Sequence, residues 1–235
     1  MICHSLRGKS IDQQINNSLL CRLKVIQSKR ESKREDYKVK DIEATIGNLI
    51  EKNNGYLITS EAVEQGISKP TISKYIKEHD MEKAAHGIYI LNDVWPDELF
   101  VLQARNSAII YSGETALYLH RLTDREYSHI YFAVPTGYNA SHIKADKVVR
   151  YENPVEYELG VCEVEASSGN LVRVYDKERC ICDLIKNRKN TEIQLYQTAI
   201  KEYMSDKHKN FSHLIKYAEV LGVRDEVMKY VEVLV

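Results

Sequence analysis

The chain has 235 residues, 43% of them hydrophobic and 29% charged, with a net charge of −1. That is long enough for one large domain or two small ones, and the composition is that of a globular protein rather than a disordered or fibrous one. The near-zero charge argues against indiscriminate polyanion binding, and the longest apolar runs, such as "HIYFAV" at 129–134, are far too short to span a bilayer.

Residues 1–37 read as an N-terminal extension, helical or disordered. Ile15, Leu19, Leu20, Leu23 and Ile26 can share one helical face, and the polar "SKRESKRED" follows them. The N-terminus has no apolar run ending in a small-residue cleavage site, so a cytoplasmic protein is expected.

From 38 to 92 the pattern is that of a winged helix-turn-helix. Val39, Ile42, Ile46, Leu49 and Ile50 recur at helical spacing, and "KNNG" stops the run. A short second helix begins after Thr59 or Ser60, with Ala62 and Val63 predicted inward, and Gly66 ends it. Ser68 is a natural N-cap for a third helix, with Pro70 in its first turn, where a missing N–H costs nothing. Two short strands then flank a turn at His86-Gly87. Three helices followed by a β-hairpin are the elements of that DNA-binding module.

On the third helix, "SKPTISKYIKEHD", a helical wheel turns Ile72, Tyr75 and Ile76 inward and Pro70, Lys74 and Lys77 outward. Thr71 and Ser73 flank the outer face. Residues 1–92 carry 15 Lys and Arg against 12 Asp and Glu, whereas 93–235 carry 18 against 22. The sign of that asymmetry suits a nucleic-acid-binding front end. The candidate DNA contacts are therefore Ser68, Lys69, Thr71, Ser73, Lys74 and Lys77 from the helix, with Lys83 and His86 from the wing. The helix carries no Arg, Asn or Gln, the side chains that make the best bidentate base contacts, so phosphate positioning outweighs base readout.

Residues 93–235 read as an α+β domain with a helical tail. A helix over 112–122 is predicted to be capped by Ser112. "HIYFAVP", "KVVRYE", "GVCEVEA" and "NLVRVYD" alternate as strands of one sheet, and Pro135-Thr136-Gly137 is a turn. Asp176 reads as the N-cap of the first of four helices, near 177–189, 191–204, 209–221 and 223–234. Ile181, Leu184 and Ile185 form the inward stripe of the first. The basic "KNRKN" at 186–190 is a weaker second candidate for a nucleic-acid contact.

Enzymatic readings fare poorly. Asp176, Glu178 and Asp183 lie close in sequence, but Glu178 turns away from the other two and no E-x-K strand accompanies them. Ser112 and His120 sit about 12 Å apart along one helix, too far for a triad with Asp124. The five cysteines (Cys3, Cys21, Cys162, Cys180 and Cys182) read as reduced thiols, and Cys180-x-Cys182 has no further ligands to complete a metal site. No catalytic residues, cofactor or metal are expected.

The winged-helix core "GISKPTISKYIKEHDMEKAAHGIYIL" is followed by "YSGETALYLHRLTD", "FAVPTGYN" and "VYDKERCICDLI". This order resembles the AbiEi family of antitoxins from bacterial abortive-infection toxin–antitoxin operons, over roughly 38–235. The resemblance implies a DNA-binding winged helix joined to a C-terminal antitoxin domain, repression of its own operon through inverted repeats in the promoter, and a functional partner that is a nucleotidyltransferase-like toxin. Where family members often carry Arg before the wing glycine, this chain has His86-Gly87-Ile88-Tyr89, a shorter reach into a groove. The alternative is a stand-alone winged-helix regulator whose second domain senses a small molecule.

Overall fold

The computed structural model describes residues 41–143 and 146–234, so the expected N-terminal helix lies outside them. It is a mixed α+β chain whose described residues divide into two compact units, the first ending at Met81 and the second beginning at Glu82. No helix of the described residues is long and apolar enough to cross a membrane.

In the first unit a helix over 41–52 (α1) stops where predicted. Asn54 and Gly55 take left-handed backbone (φ 47° and 93°), and Gly55 N–H returns to the Ile50 carbonyl at 2.8 Å. A buried three-residue strand, β1 (Tyr56–Ile58), runs straight into α2 (Thr59–Glu64). The strand escapes a sequence reading because three buried residues in a row show no alternation. Ala62 is fully buried, but Val63 is 40% exposed rather than inward. A six-residue helix touches its unit along one narrow line, and Val63 lies 100° off it. After α2, Gly66 turns the chain at φ 82°, and α3 (Lys69–Glu78) follows. Ile46, Tyr56, Leu57, Ala62, Ile67 and Ile72 are the most buried apolar side chains of this unit.

The second unit opens with a hairpin, β2 (Glu82–Ala85) and β3 (Ile88–Ile90), antiparallel, with a register shift between Lys83 and Ala85. Then come α4 (Glu98–Arg105), β4 (Ile110–Tyr111), α5 (Gly113–Leu119), β5 (Ile130–Pro135), β6 (Lys147–Glu152), α6 (Pro154–Glu158), β7 (Val161–Glu165) and β8 (Leu171–Tyr175). The last five strands form one sheet in the order β6-β5-β4-β8-β7. The four predicted strands are all present, but the central one, β4, was not readable: two residues carry no period. Its pairing with β8 and that of β5 with β6 are parallel; the other two pairings are antiparallel.

The helical tail is α7 (Lys177–Lys186), a 3-10 turn over Arg188–Asn190, α8 (Ile193–Ser205), α9 (Phe211–Leu221) and α10 (Arg224–Leu234). Asp176 caps α7 as predicted, accepting from Arg179 N–H at 2.8 Å. Ser112 precedes α5, but its side chain makes no capping bond. Its backbone is extended and its N–H donates to the Tyr131 carbonyl, so it behaves as the end of β4. Thr115, one turn on, instead accepts the Tyr131 N–H at 2.9 Å.

Every residue of α7 from Glu178 to Ile185 is buried, because α5, α8, α9 and α10 all pack on it. The inward stripe of Ile181, Leu184 and Ile185 is real, yet Glu178, Arg179 and Asp183 on the other sides are buried too. Charges there survive only if paired. Arg179 is fully buried, and its guanidinium bonds Asp183 (3.1 Å), Glu152 (3.3 Å) and the carbonyls of Glu156 (2.5 Å) and Leu159 (3.2 Å). It also stacks over the Tyr175 ring at 4.4 Å. Arg150 closes the ring by pairing with Asp183 (2.9 Å) and Glu152. Burial, opposed by Arg150, still pushes the Glu152 carboxyl up, helped by a hydrogen bond shared with Glu156. Burial also pushes the Cys182 thiol up to about 12 and Cys180 well above its usual value, so both are inert thiols. Glu178 accepts from the Tyr203 hydroxyl (3.1 Å) and Asn210 N–H (2.8 Å).

Gly160 makes this packing possible. Its φ is 75°, and a Cβ there would lie 2.9 Å from Arg179 Cβ and 3.0 Å from Asp176 Oδ1. Gly160→Ala is expected to cost about 2–4 kcal/mol in urea unfolding, from left-handed strain plus overpacking. A second expectation concerns His120, whose Nε2 lies 2.7 Å from the Tyr175 carbonyl and whose pKa is lowered chiefly by burial. Above its unfolded value of about 6.5 the ring is neutral in both states. Below it the unfolded chain takes up a proton before the folded one does, so stability falls as pH falls. His120→Gln should therefore lose less stability than the parent between pH 7 and pH 5, read from paired denaturation curves.

Candidate nucleic-acid interface

The sequence of α3 explains its start. Ser68 has extended backbone (φ −70°, ψ 144°), its Oγ accepts from Thr71 N–H at 3.4 Å, and Pro70 occupies the first turn. No acid sits in that turn, so the positive end of the helix is not offset from within. Ile72 is 1% exposed and Tyr75 and Ile76 are half-buried, the side predicted to face inward.

Ser68, Lys69, Ser73, Lys74 and Lys77 are all exposed and Thr71 is half-exposed, so the structure brings these six predicted residues together on α3 and its cap. Lys83 is exposed on β2 opposite Tyr89, and His86 is exposed in the hairpin turn before Gly87 (φ 75°). Both belong to the second unit.

Three features of α3 modify the sequence reading. The Ser68 and Thr71 hydroxyls bond each other at 2.7 Å, so part of their capacity is spent on the cap. Lys74 pairs with Glu78 at 3.5 Å, an exposed i,i+4 contact worth a few tenths of a kcal/mol. Tyr75 and His79 stack with ring centroids 3.8 Å apart, and His79 Nδ1 lies 3.0 Å from the Tyr75 carbonyl. Both pairs have the four-residue spacing of helix neighbours in "KYIKEH", a signal that the wheel reading of α3 does not weigh. Lys69, Lys77 and Ser73 therefore remain the groups with no protein partner among the described residues.

Elsewhere, the "KNRKN" segment is the end of α7 and the 3-10 turn. Lys186 pairs with Glu156 at 3.6 Å, and Arg188 lies over the Tyr196 ring at 5.2 Å. Among the described residues no group of three His, Cys, Asp or Glu is placed to hold a metal ion. Asp176, Glu178 and Asp183 are each committed to helix capping or to the buried network. Ser68→Ala is expected to lower the stability of the first unit by about 0.5–1 kcal/mol, because the cap loses both its backbone bond and the Thr71 contact. Thermal unfolding without DNA reads this term free of any binding effect.

No family model matches the chain, and no curated protein matches it. Among solved structures, the crystal structure of the RV2827C protein from Mycobacterium tuberculosis is similar at 11% sequence identity and a TM-score of 0.44, over 74% of this chain and 70% of that one.

Proposed function

We propose that the protein is a DNA-binding autorepressor and antitoxin, with α3 as the recognition helix of a winged helix-turn-helix and the β2–β3 hairpin as its wing. The observation that carries this reading is α3 itself: a Ser-capped, Pro-started helix with a buried Ile72 side and an exposed face of lysines and a serine. The element order along the chain, a helix, a short strand, two helices and a hairpin, supports this reading, since a winged module is built from the same elements. Partners in this reading are double-stranded DNA at inverted repeats in its own promoter and, as the resemblance implies, a nucleotidyltransferase-like toxin.

In that complex Lys69, Lys74 and Lys77 neutralise phosphates, while Ser73 and the free capacity of Thr71 and Ser68 touch phosphates or base edges near the helix start. Lys83 and His86 reach the flanking backbone. Lys74 must leave Glu78 to do so, at little cost because the pair is exposed. Without Arg, Asn or Gln on α3, sequence preference comes from DNA shape as well as contacts.

The test is a gel shift on the chain's own promoter across a salt series. Replacing Lys74 and Lys77 by Ala should weaken binding and reduce the salt slope by about one to two units. A slope unchanged in the double variant removes α3 from the interface.

A further inference from the structure

The two edges of the five-stranded sheet present different groups. β6 lies at one edge and β7 at the other, each paired with one neighbour. In an extended strand the N–H and C=O of one residue point to the same side, and those of the next residue to the opposite side. The Glu152 carbonyl accepts from Thr136 N–H at 2.7 Å, so Val148, Arg150 and Glu152 turn their backbone toward β5. Lys147, Val149 and Tyr151 turn theirs outward. Among the described residues, the N–H and C=O groups of these three have no partner strand.

The side chains leave this edge open as well. Tyr151 is 55% exposed and Val148 39%. Charged side chains commonly blunt a free edge. Here Lys147 is drawn back to Glu98 (2.9 Å), and Arg150 to Asp183 (2.9 Å) and Glu152. β7, in contrast, is guarded. Asp176 N–H donates to the Gly160 carbonyl and Ala166 N–H to that of Asn170, so Val161, Glu163 and Glu165 face outward, and both glutamates are exposed. A second copy paired antiparallel about the middle of β7 would set Glu163 against Glu163, which repels.

β6 can meet its own copy without that conflict. The antiparallel register centred on Val149 engages all three outward-facing residues: Val149 stands opposite Val149, and Lys147 opposite Tyr151. Between them Val148 stands opposite Arg150 and can lie along its aliphatic stem. Tyr151 then sits diagonally from Val149 of the other copy, within reach of an aromatic ring. Like charges meet only at the ends, where Asp146 faces Glu152, whose carboxylate is turned into its own ion ring. We infer that the free edge of β6 pairs with β6 of a second copy of this chain, antiparallel about a twofold axis through Val149, joining the two sheets into one. The proposed operator, an inverted repeat, has the same symmetry, but this pairing needs no DNA and is measured without it.

Sedimentation velocity of the full chain, from about 1 to 300 µM, should show a reversible monomer–dimer equilibrium with a dissociation constant of about 1–100 µM. Hydrogen exchange read by mass spectrometry should slow over 147–152 as concentration rises, and not over 161–165. Tyr151→Pro removes an outward N–H that the single chain does not use, a position where an edge strand tolerates proline. Tyr151→Lys sets a second ammonium opposite Lys147. Each variant should keep the parent's unfolding transition and dimerise at least about tenfold more weakly. If the proline variant does not fold, the lysine variant decides. A chain that stays monomeric up to about 300 µM overturns the assignment. So does a dimer that the folded variants leave unchanged, or one whose protected amides lie away from β6.

Discussion

A guanidinium sealed away from water organises the second unit. Taking Arg179 out of solvent costs several kcal/mol, and only near-complete pairing offsets that. Its partners come from four places in the chain: Glu152 at the end of β6, the carbonyls of Glu156 and Leu159 in and after α6, the Tyr175 ring ending β8, and Asp183 one turn along α7. The sheet edge, the α6 connection and the helical tail must all be in place before that charge is satisfied. An apolar residue at 179 would hold the layers as well by area alone, but would not require those four segments to meet in one register.

That dependence marks the boundary of what the sequence reveals. Periodicity locates β5 to β8 and all four tail helices, because each has one apolar side and a clear stop. On α7 it identifies Ile181, Leu184 and Ile185 but does not reveal that Glu178, Arg179 and Asp183 are buried as well. A helix wrapped on every side has no polar face to read, and its charges signal burial only once their partners are known. β1 and β4 are too short to carry a period. Ser112 shows a different failure: a capping residue type in a capping position, held extended by the Tyr131 carbonyl instead. The mixed α+β character was legible; the central strand and the ion ring were not.

The candidate interface was more legible than the core. A surface helix is specified locally, by its cap, its proline and its wheel, and all three read directly from "SKPTISKYIKE". What the sequence left out was competition between neighbours. The Ser68 and Thr71 hydroxyls serve each other, and Glu78 holds Lys74.

The position of β4 bears on how the chain reaches this state. Tyr111 pairs in parallel with Val174, whereas its other neighbour, Phe132, lies much nearer in sequence. Long loops close slowly, and parallel pairing is the slowest kind of sheet assembly. On the ribosome the middle of the sheet must wait while β5, β6 and β7 are made, with the unpaired edge of β4 exposed until β8 emerges. During that interval the half-built sheet has an open edge of the kind that chaperones bind and that other nascent chains can pair with.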